Sequence, residues 1–129
     1  MNKRFVRQHQ DLEVYQVAFD GAMQIFEASK QFPKEERYSL TDQVRRSSRS
    51  VCANLAEAWR KCLYEAAFIA KLIDCAAEAS ETQTWIAFAV QCQYLHADTG
   101  KAVHQNYDRI LGMLTIMIRN PKKWLLHQT

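Results

Sequence analysis

Residues 41–61 read TDQVRRSSRSVCANLAEAWRK, and their charge is sorted by helical period. At about 100° per residue, Leu40, Val44, Val51, Leu55 and Ala58 fall in one apolar arc. Arg45, Arg46, Arg49 and Arg60 fall together on the opposite side. One face can line a core while the other holds fixed positive charge toward a partner. The pattern points to a long amphipathic helix, predicted from about Ser39 to Lys61, with Ser39 and Asp42 spaced as a weak capping box.

Outward from this segment, three further helices are readable. Upstream, Tyr15, Ala18, Phe19, Ala22, Ile25 and Phe26 recur at helical spacing over about 11–31, with Asp11 as the expected N-cap. Pro33 disfavours helical geometry at Phe32 and ends this run. Downstream, about 64–95 carries two apolar seams. Phe68, Leu72, Cys75, Ala79, Ile86 and Ala89 form one; Ile69, Ile73, Ala77, Ser80 and Thr84 form the other. Between them Lys71, Asp74, Glu78, Glu81 and Trp85 make the expected solvent stripe. Two seams exceed one packing partner, so this helix is expected at a central position, at an oligomer contact, or both. His96-Ala97-Asp98-Thr99-Gly100 reads as a turn, followed by a helix over about 99–119 that Pro121 stops.

The 129 residues are 48% apolar and 24% charged, with only three glycines and two prolines. So few turn residues mean few, long elements, which excludes a β-sandwich and a disordered chain. The expected fold is all-α, an antiparallel up-down-up-down four-helix bundle forming one domain over 1–129. Flexible ends are expected at 1–10 and 120–129. Cys52, Cys62, Cys75 and Cys92 include no C-x-x-C pair, so they read as buried reduced thiols of a cytoplasmic protein. The first residues hold no apolar run resembling a signal peptide, and no window is apolar enough to span a membrane.

Net charge is only +3, but residues 43–63 carry five bases against Glu57 alone. Arg45, Arg46, Arg49 and Arg60, with Lys61 beside them, are the candidate nucleic-acid contacts, because a rigid helix spaces cations for phosphates. Arg45 and Arg49 lie one turn apart, about 5.4 Å along the axis. Tyr38 and Trp59 are near enough in sequence to stack on unpaired bases. Two plainer readings stand beside this one: a solvated polar face, or arginines paired with Glu78 and Glu81.

Other chemistry finds little support. A di-iron bundle needs Glu-x-x-His on two helices, and no glutamate here has a histidine three residues later. His9, His96, His104 and His127 lack partners at metal-ligand spacing. Cys52, Ser47 and Ser48 have no histidine in their segment to activate them, and the small residues at 47, 48 and 50 suit close helix approach. Asn54 and Glu57 border the apolar arc, where a buried Asn fixes register. No catalytic residue, metal or cofactor is expected.

Several of these residues also resemble a known family. They are Asp11-Leu12-Glu13-Val14-Tyr15, Phe32-Pro33-Lys34-Glu35-Glu36-Arg37-Tyr38-Ser39-Leu40-Thr41, Gln43-Val44-Arg45-Arg46-Ser47, Ala53-Asn54-Leu55-Ala56-Glu57 and Glu81-Thr82-Gln83. In this order, over roughly 11–119, the chain resembles the four-helix-bundle proteins encoded in 23S rRNA intervening sequences. It departs from the pattern at Cys52, where proline is usual, at Ala58, where glycine is usual, and at Ala79, where an acid is common. The resemblance implies a cytosolic bundle closing into a cyclic homo-oligomer, a pentamer, and brings no biochemical activity with it. More distantly, the chain is similar to accessory proteins of diversity-generating retroelements. The combined expectation is a non-enzymatic, self-associating bundle contacting RNA or a ribonucleoprotein through its second helix. The alternative is a scaffold docking a protein partner such as a reverse transcriptase, motivated by the third helix and by Trp124-Leu125-Leu126.

Overall fold

The computed structural model describes residues 6–125; residues 1–5 and 126–129, and with them Lys3, Arg4, Leu126 and His127, lie outside the described residues. Four long helices account for most of it: α1 (Glu13–Ser29), α2 (Leu40–Arg60), α3 (Glu65–Gln91) and α4 (Ala97–Arg119), with a short α5 (Pro121–Leu125). The all-α expectation holds, with no strand among the described residues. α2 and α4 each pack against both α1 and α3, whereas α1 and α3, like α2 and α4, stand across the core with no close backbone approach. One core lies between them, filled by Val14, Ala18 and Ile25, by Val44, Val51 and Leu55, by Phe68 and Leu72, and by Tyr107, Ile110 and Leu114.

Element ends depart from the sequence reading for identifiable reasons. α1 starts at Glu13, not at an Asp11 cap, because buried Leu12 is extended at its N-cap position. The Asp11 carboxylate instead accepts from the backbone N–H groups of Arg7 and Gln8, at 3.0 and 3.2 Å, closing a 3-10 turn over His9–Asp11. α3 ends at Gln91, short of 95, because Gln93 turns left-handed at φ 62°. The helix expected from about 99 therefore starts two residues sooner: His96 caps α4, its Nδ1 accepting from the Asp98 N–H at 3.1 Å.

Gly100 is therefore not a turn glycine. It is buried inside α4, where a Cβ would stand 2.4 Å from Val90 Cγ2 of α3, so it permits close helix approach. The tail expected to be flexible is helical over Pro121–Leu125, since proline suits a first helical turn. Trp124 and Leu125 there pack on the core. α2 runs unbroken through Cys52 and Ala58, so the proline and glycine of the resembled pattern have no kink to serve here.

α3 carries the largest correction. Its first seam is buried as expected, but the second has no partner within the described residues: Ile73 is 53% exposed, and Ser80 is exposed too. The stripe expected in solvent, Lys71 to Trp85, is mostly half-buried along the border with α2.

Two glycines of α4 should respond oppositely to alanine. Gly112 is exposed, and a methyl group added there would meet nothing within 4 Å, so Gly112→Ala should stabilise. The gain expected is about 0.8–1 kcal/mol, read as a rise of roughly 3–5 °C in Tm. Gly100→Ala should cost about 1–3 kcal/mol despite the same propensity gain, because β-branched Val90 cannot swing aside. Thermal melts of both variants check this pair.

Candidate nucleic-acid interface

The entry into α2 is set by one carboxylate. Glu36 accepts from the Ser39 hydroxyl at 2.6 Å and the Leu40 N–H at 3.2 Å, and its other oxygen accepts from the Tyr94 hydroxyl at 3.0 Å. The expected Ser39–Asp42 capping box does not form, because Ser39 adopts φ −124°, ψ −100° and turns its hydroxyl back toward Glu36. These bonds, led by the one from Ser39, hold the Glu36 carboxyl below its ordinary pKa, and they tie the α1–α2 connection to the segment just after α3.

From there Leu40, Val44, Ser47, Ser48, Val51, Leu55, Ala58 and Trp59 turn inward. Trp59 is only 4% exposed, within the core cluster alongside Leu12 and Cys62, so it cannot stack on a base. The outward residues divide between two seams. On the α1 side, Arg45 Nε donates to Ser29 Oγ at 2.7 Å and its guanidinium lies 4.9 Å over the Phe26 ring. Arg49 lies 5.9 Å over the same ring. On the α3 side, Arg46 donates to Gln43 Oε1 at 3.3 Å and sits 3.9 Å from the Glu81 carboxylate.

Pairing with Glu78 and Glu81 is thus confined to one loose contact. Glu78 makes no ion pair among the described residues; burial, then the Glu81 charge, pushes its pKa up. Arg49, Arg60 and Lys61 make no ion pair among the described residues. Ring contacts and neutral acceptors orient Arg45 and Arg49 without cancelling their charge.

The arrangement gathers Arg45, Arg46 and Arg49 with Arg37, Thr41, Asp42, Ser50 and Ala53 around an open groove of about 440 Å³. Arg60 and Lys61 are not part of it; they stand exposed at the end of α2, Arg60 about 16 Å beyond Arg49 by helical rise. Sequence reasoning missed Arg37 because it lies in the charged connection before α2. Its signal was position alone, three residues before the first helical residue.

Further along the α3 side of α2, the cation is matched by carboxylates. Lys71 Nζ donates to Asn54 Oδ1 at 3.1 Å and pairs with Glu57 at 3.0 Å and Asp74 at 3.8 Å, which raises its pKa, chiefly through Glu57. Asn54 also donates to the Ser50 carbonyl at 2.9 Å, so it bridges the two helices. Burial pushes the Cys52 thiol to about 11 and that of Cys75 to about 12, which suits packing and not nucleophilic attack. Cys92, expected to be buried, is exposed. Among the described residues, no three His, Cys, Asp or Glu side chains are grouped to hold a metal ion, and no helix is long and apolar enough to cross a membrane.

With this geometry in place, comparison with known proteins decides the lineage. The family described as 23S rRNA-intervening sequence protein matches residues 10–116. The chain belongs to this family. The match spans α1 to the last turns of α4 and so includes every arginine of the groove. A solved structure from Bacteroides thetaiotaomicron, described as a protein with unknown function from the S23 ribosomal protein family, superposes with a TM-score of 0.74 at 25% identity. The similarity covers 82% of this chain and 95% of that one. No curated protein matches the sequence.

The Glu36 bonds make a pH prediction for this family member. A folded-state pKa below the ordinary 4.5 means the unfolded chain binds more protons as pH falls. The stabilisation is then complete above about 4.5 and lost as pH drops through the lower folded value. Glu36→Gln should melt lower than wild type near neutrality, with the gap closing in acid; melts between about pH 3 and 7 check it.

Proposed function

We propose that this protein is a non-enzymatic, self-associating helical bundle that binds RNA, free or within a ribonucleoprotein, through the outer face of α2. One observation carries the reading: Arg37, Arg45, Arg46 and Arg49 line a single groove with one loose ion pair among them. Clustered, unneutralised cations at fixed spacing are what phosphate binding requires. Arg60 and Lys61 extend the positive face. The similar solved structure is assigned to a ribosomal protein family, which agrees with an RNA partner.

An antiparallel up-down-up-down arrangement is supported by the order of the paired positions. Ser47 meets Thr82 whereas Asn54 meets Lys71, and Val90 lies against Gly100 whereas Gln83 reaches Asp108. Assembly into a closed ring is supported by two unlike apolar patches. Phe19 and Met23 are 49% and 47% exposed on α1, and Ile73 and Phe88 are 53% and 54% exposed on α3. These two helices stand across the core with no close backbone approach, so their outward patches occupy different sides of the protomer. Unlike patches on different sides make a heterologous contact, which closes into a ring when the rotation fits. A pentamer is the ring we propose, located in the cytoplasm. The same α3 surface is the one a protein partner such as a reverse transcriptase would use in the scaffold reading.

Two experiments test this. Arg46→Glu with Arg49→Glu, both exposed, should keep helicity but lose RNA retention at low salt. Wild-type affinity should fall log-linearly with salt, the slope shrinking by about 0.7 per phosphate contact removed. Salt-insensitive or absent wild-type binding overturns the RNA reading. Separately, Ile73→Asp with Phe88→Glu should reduce the mass by light scattering to that of one chain. A wild-type monomer would instead leave the α3 patch to a different protein.

A further inference from the structure

We propose that the α2 groove takes single-stranded RNA, reading base faces and base edges as well as phosphates; this rests on the RNA reading of the same face. Tyr38 is 86% exposed and follows Arg37, which lines the groove and whose guanidinium lies 5.9 Å over the Tyr38 ring. An aromatic ring presented to solvent next to a phosphate-binding cation is a stacking platform for an unpaired base. Packing does not account for it, since among the described residues Tyr38 touches neither the core nor a hydrogen-bond partner.

The groove is also not built for phosphates alone. Asp42 lines it and makes no ion pair among the described residues. A carboxylate repels phosphate, but it accepts from the amino and imino groups of an exposed base edge. Thr41 and Ser50 add hydroxyls that can donate or accept. Cations, an acceptor, hydroxyls and an exposed ring together match what an unpaired nucleotide presents. A duplex presents stacked faces and paired edges, so it offers Tyr38 no free base face and Asp42 no unpaired Watson–Crick donor.

The test uses the full chain and fluorescence anisotropy with a labelled RNA of about 12 nucleotides, single-stranded or as a blunt duplex. Wild type should bind the single strand at least about tenfold more tightly. Tyr38→Ala should weaken single-strand binding about 5- to 100-fold and leave duplex binding unchanged, while Tyr38→Phe keeps the ring and the affinity. Because Tyr38 is exposed, circular dichroism should be unchanged in both. Asp42→Ala should weaken single-strand binding, whereas a carboxylate that only repels phosphate would make the variant bind more tightly. Equal binding of both RNAs, indifference to Tyr38→Ala, or tighter binding by Asp42→Ala overturns this inference. If the Arg46→Glu, Arg49→Glu pair still abolishes that binding, the broader RNA reading survives it. No binding of either RNA removes both.

Discussion

Ser47 and Thr82 share a 2.8 Å hydrogen bond between wholly buried hydroxyls, and the rotation of α2 about its own axis follows from that contact. Thr82 also donates to the Glu78 carbonyl at 2.9 Å, so each oxygen has a partner in a core otherwise made largely of hydrocarbon. Hydrophobic burial is non-directional and would tolerate some turning of α2 against α3. A buried hydroxyl pair is directional, and turning α2 would give up a bond worth about 0.5–1.5 kcal/mol, although Thr82 keeps the Glu78 carbonyl and Ser47 the Val44 carbonyl. With Ser47 held inward, Arg46 must emerge on the α3 side near Glu81. Arg45 and Arg49 must then emerge above Phe26 of α1, and Asn54 and Glu57 come within reach of Lys71.

The consequence is a helix with two unequal borders. Toward α3, Lys71 sits among Asn54, Glu57 and Asp74, where its one positive charge is outnumbered by two carboxylates. Toward α1, the arginines meet a ring, a hydroxyl and a carbonyl, none of which carries charge. The one ion pair that reaches the groove, Arg46 with Glu81 at 3.9 Å, joins two partly exposed side chains. Pairs of that kind are worth about 0–1 kcal/mol, so they do not withhold the guanidinium from a phosphate. Cation–ring contacts at exposed sites are worth about as much, yet they restrict Arg45 and Arg49 without neutralising them. Rigid positioning with retained charge is the property an anion-binding face needs.

How far this was legible from sequence depends on whether neighbours or periodicity decide a residue's place. The α2 face was legible because several turns of one period average out local accidents: Val44, Val51 and Leu55 went in, and Arg46, Arg49 and Arg60 stayed out. Trp59 falls beside buried Ser48 on that wheel, so its 4% exposure follows from its place at the border of the apolar arc and its reading as a stacking ring did not. Gly100 looked like punctuation, but its role is set by Val90, ten residues away on another helix. Arg37 carried no periodic signal at all. Ser39 and Asp42 had suitable spacing, but capping depends on backbone angles that a spacing does not report. The second seam of α3 was visible as a surplus, but its period could not say whether a helix of the same chain or another subunit would cover it; among the described residues none does.

That unpartnered surface and the arginine groove are not independent of one another. Phe19, Met23, Phe26 and Lys30 recur at spacings of four, three and four, so they form a single stripe along α1. Its first half is the exposed patch proposed to meet a neighbouring subunit; its second half, the Phe26 ring, is the surface on which Arg45 and Arg49 rest. A subunit that covers Phe19 and Met23 therefore reaches the edge of the groove. Ring closure would then do two things at once for RNA. It would repeat the groove around the assembly, where a linked array gains in avidity by about 10²–10⁴ over one site. It would also supply each groove with an outer wall from the next protomer, confining a flexible strand in a way an isolated helix face cannot.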